Sequence, residues 1–569
     1  MTHYSPAIFK KSPLRIVLAQ LNFLVGDVAG NAQKIIQATI AARDDQQADL
    51  IVFPELAITG YPPEDLLYRQ DFYQRIDAAL KQIAEQANGI DIILGYPAQS
   101  HQALKSEQYN RAAFISHQKI VAHYDKQKLP NDHVFDEMRY FKAGKNKACI
   151  VGLTQSDIKI GILICEDIWH AEPAMQAAEL GADLLVCINA SPFSKHKSQD
   201  RAHVLATRIQ EIQLPVLYVN CVGGQDELMF DGGSMALYRH GKMIQQALFF
   251  EEDSLVVDIH KDREKKWAPI LSATHKRTPN PLFSEEESIY QALVLGVRDY
   301  VEKNHFSNAI LGLSGGIDSA LTLAIAVDAL GKDRVKVVMM PSRYNSAESL
   351  LDAKCQAETM GVHDEILSIE PVFKAFLETL STRHTNTALM RITQENLQAR
   401  CRGTLLMAIS NNEQAIVLST SNKSEMSVGY STLYGDMVGG LCVLKDVFKT
   451  MVYRLARYRN QLSPVIPENV LLKAPSAELA FNQTDQDSLP DYAILDEILA
   501  RYIEQDESLD MIVAAGFDES VVRKVLHMVD RSEYKRRQSA PGIRITERAF
   551  GKDRRYPITS GFQSSAFSV

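Results

Sequence analysis

The sequence predicts an α/β protein of two domains, and three observations carry that prediction. Short apolar strands alternate with segments of helix length along most of the chain. At 569 residues the chain is too long for one ordinary core. A polar stretch at 261–281 interrupts the alternation and indicates an interdomain linker. We therefore expect a first domain at 1–275, a linker at 276–285 and a second domain at 286–569.

The first domain begins with a strand at 15–20, a helix at 31–42 and a second strand at 48–53. A hairpin is predicted at 111–124, and a buried apolar strand at 158–164. Because strands and helices keep alternating, this half is expected to have a layered α/β architecture.

The second domain is expected to contain a doubly wound parallel sheet. Its predicted strands lie at 309–313, 335–340 and 415–419, and each is short and apolar. A helix at 319–330 carries apolar residues almost all round, which is typical of a buried helix. Another helix, at 289–301, follows an acidic start that Ser284 is expected to cap.

Composition argues for a globular protein of the cytoplasm. The chain is 46% hydrophobic and 23% charged, and no apolar run is long enough to span a bilayer. Its start lacks a signal segment, which favours a cytoplasmic location without a membrane partner. A net charge of −9 gives no support to nucleic-acid binding. Seven cysteines form no CxxC pair, which argues against a disulfide framework or a zinc site.

Three polar residues of the first domain stand where predicted strands end. Glu55 follows the strand at 48–53, Lys126 follows the hairpin, and Cys165 follows the strand at 158–164 at a sharp turn. Taken singly, the cysteine reads as a core residue and the lysine as a solvated one. Together they form a nucleophile, a base and a fixed positive charge, the set that amide cleavage through a thioester requires.

The strings Phe53-Pro-Glu55, Tyr124-Asp-Lys126 and Ile164-Cys-Glu166 resemble the triad of the nitrilase, or carbon-nitrogen hydrolase, superfamily. The resemblance implies a nitrilase-like αββα sandwich. It also implies that Cys165 attacks an amide carbonyl, that Glu55 moves the proton, and that Lys126 with the N–H of Glu166 stabilises the oxyanion. Glu137 matches a second, supporting glutamate of such enzymes, and its alternative role is an ordinary surface ion pair.

Further strings narrow the resemblance to the glutaminase domain of glutamine-dependent NAD+ synthetases. They are Leu129-Pro-Asn131, Val134-Phe-Asp-Glu137 and Ile188-Asn-Ala-Ser-Pro-Phe193. The resemblance implies that Ser191 and Lys197 bind the α-amino and carboxylate ends of glutamine. Asp132 stands where that family usually has tyrosine, which puts the role of this position in glutamine binding in question.

The turn Ser314-Gly315-Gly316, between a strand and a helix, forms an anion cradle, because helix first-turn N–H groups lack partners. The chain has no Walker lysine, and Asp318 is expected to hold Mg²⁺ against phosphate. The string resembles the loop of N-type ATP pyrophosphatases, which implies ATP as co-substrate with AMP and pyrophosphate as products. The implied ATP contacts are Gly312, Leu313, Ser314, Gly315, Gly316, Ile317, Asp318 and Ser319.

The string 420–440 resembles the synthetase domain of NAD+ synthetases. The resemblance implies that Thr420 contacts ATP and that Glu425 contacts Mg²⁺ or the dinucleotide substrate deamido-NAD. It places Asn396 and Lys535 on deamido-NAD as well. A basic run at 535–555 is usually a solvated face or a nucleic-acid tail, but here an acidic protein needs positive charge to hold an anionic dinucleotide.

The implied reaction is the ATP-dependent amidation of deamido-NAD, with ammonia released from L-glutamine and passed along an enclosed path. Another adenylating amidotransferase, with a nucleobase, tRNA or amino-acid substrate, is an alternative. A third possibility is an interaction protein with a decayed amidase-like domain. The resemblance also suggests a homo-oligomer, at least a dimer through the synthetase domain.

Overall fold

The computed structural model describes residues 13–100, 107–145, 148–271, 279, 283–380, 387–481, 483–562 and 564. The chain divides into two compact units, one formed by Met1–Gln225 with Met229–Leu282 and the other by Asp226–Leu228 with Phe283–Val569. Most of the predicted linker at 276–285 lies outside the described residues. No helix in the described ranges has the length and apolar content needed to cross a membrane.

The first unit is built from strands and a few helices. Its strands are β1 (Leu14–Gln20), β2 (Leu50–Val52), β3 (Asp91–Ser100), β4 (Glu107–Ser116), β5 (Lys119–Asp125), β6 (Cys149–Gly152), β7 (Lys159–Ile164), β8 (Leu184–Asn189), β9 (Val216–Asn220), β10 (Val222–Gln225), β11 (Leu228–Asp231), β12 (Met235–Leu237), β13 (Met243–Gln246), β14 (Asp253–Lys261) and β15 (Trp267–Ile270). Its helices are α1 (Val28–Asp44), α2 (Gln70–Glu85), α3 (Glu137–Tyr140), α4 (Ala171–Glu179) and α5 (Lys197–Ile212).

Two sheets face each other in this unit. One has the strand order β15-β14-β1-β2-β3-β4-β5 and the other the order β13-β12-β9-β8-β7-β6. Apolar residues of both, such as Leu18 in β1 and Ile162 in β7, belong to one buried cluster. Helix α2 packs on β3 and α4 on β7, so helices cover the outer faces. This arrangement confirms the predicted αββα sandwich.

Part of the expected linker is instead an edge strand. Strand β15 pairs antiparallel with β14, with Trp267 opposite Lys261 and Ile270 opposite Asp258. The prediction of a linker over the whole of 261–281 is therefore wrong at 267–270. The physical reason is that an edge strand of four residues, held by backbone pairing with its neighbour, is too short to stand out within a polar stretch.

The second unit has a five-stranded parallel sheet. Its strands are β16 (Asn308–Gly312), β17 (Val335–Met339), β18 (His363–Ile366), β19 (Ala415–Ser419) and β20 (Leu441–Cys442), in the order β18-β17-β16-β19-β20. Its helices are α6 (Glu285–Lys303), α7 (Ile317–Leu330), α8 (Ala347–Met360), α9 (Glu370–Leu380), α10 (Thr387–Glu413), α11 (Lys423–Val428), α12 (Lys449–Leu462), α13 (Glu468–Leu472), α14 (Tyr492–Leu499), α15 (Leu509–Ala514), α16 (Glu519–Arg531) and α17 (Glu533–Arg536).

The order of these strands places a topological switch point between β16 and β19. The chain winds outward from β16 to β18 on one side and from β19 to β20 on the other. In such sheets the carboxyl ends of the two central strands leave a crevice between them, where ligands bind. Helix α7 begins at this crevice and is buried along most of its length, as its apolar sequence predicts.

Candidate active sites

The first candidate site is centred on Cys165, at a sharp turn directly after β7. The strand ends at Ile164, and a 3₁₀ turn runs from Cys165 to Trp169. Cys165 has a φ of 45°, a left-handed conformation that a non-glycine residue adopts only under local constraint. Its side chain is buried, at 5% exposure. This geometry is that of the predicted nucleophile elbow.

Asp167 supplies much of that constraint, and sequence reasoning missed it. Its carboxylate accepts hydrogen bonds from the backbone N–H groups of Ile164, Gln127 and Lys128 and from the hydroxyl of Tyr124. Burial raises the pKa of Asp167 to about 6, although these donors oppose the rise. The carboxylate therefore ties the elbow to the segment that carries Lys126.

Glu55 and Lys126 form a buried ion pair. Lys126 Nζ lies 2.7 Å from Glu55 Oε1 and 2.8 Å from Glu137 Oε1, and all three side chains are almost completely buried. Burial lowers the pKa of Lys126, but the carboxylates of Glu137 and Glu55 outweigh it, so this pKa is well above its ordinary value. The lysine is therefore a fixed positive charge, which an oxyanion requires.

The thiol lies within the electrostatic field of this pair. Burial raises the pKa of Cys165 well above its ordinary value, the charge of Glu55 raises it further, and Lys126 opposes the rise. The resting thiol is thus protonated and needs a base, which matches the role predicted for Glu55. The structure accordingly brings the three predicted catalytic residues into one cluster.

Glu137 belongs to the same cluster. Its side chain is buried and accepts a hydrogen bond of 3.0 Å from the Tyr61 hydroxyl as well as the contact with Lys126. Burial raises the pKa of Glu137 to about 7; Lys126 opposes this rise and Glu55 adds to it. The alternative of an ordinary surface ion pair is therefore wrong.

The residues expected to bind glutamine lie on the loop after β8 and at the start of α5. Ser191 is buried, and its backbone N–H donates to Asn220 Oδ1. Lys197 Nζ lies 3.9 Å from the centre of the Trp169 ring. Burial lowers the pKa of Lys197, and the charges of Cys165 and Glu166 oppose it, which places this ammonium near the thiol. Asp132 is exposed in a turn.

The second candidate site is the loop between β16 and α7. Gly316 N–H donates to the Ser314 hydroxyl, and the Ser319 hydroxyl donates to the Gly316 carbonyl, so the turn is closed on itself. Gly315 has a φ of 80°, and a Cβ at this position would lie 2.1 Å from the carbonyl oxygen of Ser349. Only glycine fits at this position, which explains why residue 315 of the Gly315-Gly316 pair is a glycine.

A cavity of 280 Å³ opens at this loop. The nine residues predicted to contact ATP all line it: Gly312, Leu313, Ser314, Gly315, Gly316, Ile317, Asp318, Ser319 and Thr420. Other walls come from the carboxyl end of β17, from α10 and from residues 473–479. The cavity therefore lies at the switch point that the strand order defines.

In this cavity the ammonium of Lys449 lies between Asp318 and Glu425, and sequence reasoning missed this lysine. Lys449 Nζ, from α12, lies 2.5 Å from Asp318 Oδ2 and 3.3 Å from Glu425 Oε1. Burial raises the pKa of Glu425 to about 8; Lys449 opposes the rise, and the carboxylates of Asp318 and Asp485 add to it. Three carboxyl groups thus share one ammonium, and a second cation beside them would favour the ionised form of Glu425.

These residues fit Mg²⁺, which usually takes one or two carboxylates and completes its shell with phosphate oxygens and water. Asp318 and Glu425 supply two such carboxylates in the same cavity as the loop at 314–319. Within the described residues no group of three or more acidic, histidine or cysteine side chains forms a complete metal cage. The pair therefore suits an ion that arrives with a nucleotide.

The other residues expected to bind deamido-NAD lie outside the cavity lining. Asn396 Oδ1 accepts a hydrogen bond of 2.8 Å from the Thr432 hydroxyl. Lys535 Nζ donates to the carbonyls of Gly429 and Ser431, and burial lowers the pKa of this lysine. Both side chains therefore hold the segment between Gly429 and Asp436, and Asp436 itself lines the cavity.

Four arginines of the basic run at 535–555 are already paired, so the run offers less free positive charge to an anionic ligand than its sequence predicts. Arg536 and Arg554 both pair with buried Glu533. Arg544 pairs with Asp553 in the same way, and Arg548 reaches Asp506. The acidic partners Glu533 and Asp506 precede the run along the chain, so its local charge count overstates its free positive charge.

Comparison with known proteins finds two protein families along the chain. The carbon-nitrogen hydrolase family matches residues 15–269 and the NAD synthase family matches residues 289–539. The glutamine-dependent NAD(+) synthetase of Acinetobacter baylyi is 47% identical, covering 96% of this chain and 99% of that protein. The one from Thermotoga maritima is 42% identical, covering 97% and 99%.

Two solved structures are also similar along almost the whole chain. The glutamine-dependent NAD+ synthetase of Acinetobacter baumannii in complex with ADP is 45% identical, with a TM-score of 0.76, covering 97% of this chain and 99% of that one. The one from Cytophaga hutchinsonii has a TM-score of 0.79 at 22% identity, covering 97% and 98%. The second likeness shows the fold alone.

Proposed function

The chain belongs to the glutamine-dependent NAD+ synthetases, and we propose that its two candidate sites divide that reaction between them. The reaction is the ATP-dependent amidation of deamido-NAD to NAD+, with glutamine as the nitrogen donor. We assign glutamine hydrolysis to residues 1–275 and the adenylation and amidation steps to residues 286–569. The observation that carries this assignment is the buried ion pair of Lys126 and Glu55 beside the strained Cys165 elbow.

In the first site, Glu55 takes the thiol proton as Cys165 Sγ bonds to the side-chain carbonyl carbon of glutamine. Lys126 and the backbone N–H of Glu166 stabilise the negative oxygen that forms. The carbon–nitrogen bond then breaks, Glu55 gives the proton to the departing ammonia, and a thioester remains. Water hydrolyses the thioester to glutamate. Ser191 and Lys197 are proposed to bind the α-amino and carboxylate groups of glutamine.

In the second site, the loop from Gly312 to Ser319 and Thr420 are proposed to bind ATP. The ADP bound in the Acinetobacter baumannii relative supports a nucleotide in this family's structure. The nicotinate carboxylate of deamido-NAD attacks the α-phosphorus of ATP, and pyrophosphate leaves. Ammonia then attacks the resulting acyl-adenylate and AMP departs.

Asp318 and Glu425 are the residues that would hold Mg²⁺ in this site. When bound, the ion would neutralise negative charge on the phosphates and so make pyrophosphate a better leaving group. Asn396, Glu425 and Lys535 are proposed to contact deamido-NAD, and Asn396 and Lys535 also hold the segment 429–436. A homo-oligomer, at least a dimer, and a cytoplasmic location are further proposals that rest on the sequence.

The variant Cys165→Ala tests the division of labour. It removes the nucleophile without touching the second site, so glutamine-driven NAD+ synthesis should fall to background while ammonium-driven synthesis stays at the wild-type rate. The measurement is NAD+ formation from deamido-NAD and ATP with each nitrogen donor.

The matched control is Cys149→Ser, which changes a half-buried thiol on the edge strand β6 and should retain both activities. Loss of both activities in Cys165→Ala, or retention of both, contradicts the assignment.

A further inference from the structure

Asn110, on β4, contacts two of the three catalytic residues at once. Its side-chain Nδ2 donates a hydrogen bond of 2.7 Å to Glu55 Oε1. Its backbone carbonyl accepts a hydrogen bond of 2.9 Å from the N–H of Lys126. The side chain is almost completely buried, at 1% exposure. One residue therefore fixes both the carboxylate of the base and the backbone of the lysine.

The contacts of Glu55 show which of its oxygens is free to take a proton. A carboxylate oxygen has two acceptor positions. Oε1 uses both, one for Asn110 Nδ2 and one for Lys126 Nζ. In the described part of the chain, Oε2 accepts one hydrogen bond, from the backbone N–H of Ala190. The remaining acceptor position is therefore on Oε2.

The unused end of Asn110 indicates that the residue serves Glu55 rather than the fold. Its Oδ1 is buried and has no hydrogen-bond partner among the described residues. Turning the amide over would satisfy nothing, because Oδ1 would then face the negative Glu55 Oε1. A buried asparagine that only stabilises the fold is expected to use both ends, as Asn31 does with Leu24 and Ile58.

We propose that Asn110 is a positioning residue for the glutaminase reaction, which saturates Glu55 Oε1 and thereby directs the thiol proton to Oε2. This inference rests on the proposed roles of Glu55 and Cys165. In the step concerned, the proton moves from Cys165 Sγ to Glu55 Oε2 while the sulfur–carbon bond forms and the carbonyl π electrons move to oxygen. The same proton leaves with ammonia when the carbon–nitrogen bond breaks.

The variants Asn110→Ala and Asn110→Asp test the proposal in the full-length enzyme. Asn110→Ala leaves Oε1 with a single donor, so kcat for glutamine-driven synthesis should fall about 10- to 100-fold, the loss expected for one hydrogen bond to a charged group. KM for glutamine should stay nearly unchanged, because Asn110 contacts Glu55 and Lys126 and is not among the residues proposed to bind glutamine. Ammonium-driven synthesis should stay at the wild-type rate.

Asn110→Asp keeps the volume of the side chain and replaces the donor with a negative group beside Glu55. The like charge favours a protonated Glu55, so the acid limb of the pH profile of kcat/KM for glutamine should move to higher pH. Among the described residues, the other ionisable groups that interact with Glu55 are Lys126, Glu137, Cys165, Tyr61 and Cys187, and they are the same in both proteins.

The matched control is Asn31→Ala, which removes a buried asparagine of the same unit that does not contact Glu55. It should lower stability without moving the pH profile. The proposal is overturned if the Asn110 variants, judged intact by their ammonium-driven activity, keep the wild-type kcat and acid limb. It is also overturned if Asn31→Ala reproduces their profiles. A Cys165→Ala enzyme that still used glutamine would instead overturn the site assignment itself.

Discussion

Replacing Glu137 by glutamine should change the pH dependence of stability in the first unit. Glu137 is buried, and both the Tyr61 hydroxyl and Lys126 Nζ donate to its Oε1. Burial raises its pKa to about 7 from an ordinary 4.5. Glutamine has nearly the same shape as the protonated glutamic acid but has no proton to lose. The variant therefore mimics the protonated side chain at every pH.

The magnitude follows from the linkage between proton binding and folding. Because the pKa is higher in the folded protein, the stability that this group contributes is fully present below the unfolded pKa and is lost as pH rises through 7. The full change is about 3 kcal/mol, of which about 2 to 3 kcal/mol falls between pH 5 and pH 8. The wild-type protein should lose this amount relative to Glu137→Gln over that interval.

Urea unfolding followed by tryptophan fluorescence measures the difference. Both tryptophans, Trp169 and Trp267, lie in the first unit, so the signal reports on that unit. The control is Glu172→Gln, which removes an exposed carboxylate that pairs with Lys128. The hydrogen bond from Lys128 lowers the pKa of Glu172, so its contribution is lost only at acid pH and stays flat between pH 5 and pH 8. A wild-type-minus-variant difference for Glu137 that stays constant or rises over this range would refute the reasoning.

Two further predictions concern the second site. Gly315→Ala should abolish synthesis from both glutamine and ammonium and leave glutamine hydrolysis intact, because the new methyl group would meet the Ser349 carbonyl at 2.1 Å. Gly331→Ala, with a φ of 82° but open space around it, is the control and should keep both activities. Chelation of divalent ions should stop synthesis from both donors, with recovery on adding Mg²⁺, while glutamine hydrolysis continues. Synthesis that persists in chelator would contradict a metal role for Asp318 and Glu425.

Local sequence was sufficient to predict those parts of the candidate sites that consist of one continuous segment. The loop at 312–319 was predictable because strand, glycine turn and helix start are consecutive, and the residues predicted to contact ATP all line one cavity. The Cys165 elbow was predictable in the same way, since an apolar strand ends directly before it. In both cases neighbouring residues determine the backbone path.

Sequence reasoning failed where a contact joins distant segments. Lys449 lies 131 residues after Asp318 and has no motif that links it to the phosphate loop. Asn110 is one of several polar residues just before the predicted hairpin at 111–124, and Asp167 reads as one more acid in a turn. The arginines of the basic run were misjudged for the same reason, because Arg554 and Arg548 pair with residues far back along the chain.

The amino-acid order alone predicted the two-domain α/β architecture, the candidate nucleophile, the candidate phosphate loop and the class of chemistry, because each depends on local periodicity or on a short string. Only the tertiary structure decided which charges are paired and which are left over. A charge is neutralised by whatever lies within a few ångströms in space. A buried charge must be paired, and the neighbouring residues in the sequence reveal neither its burial nor its partner.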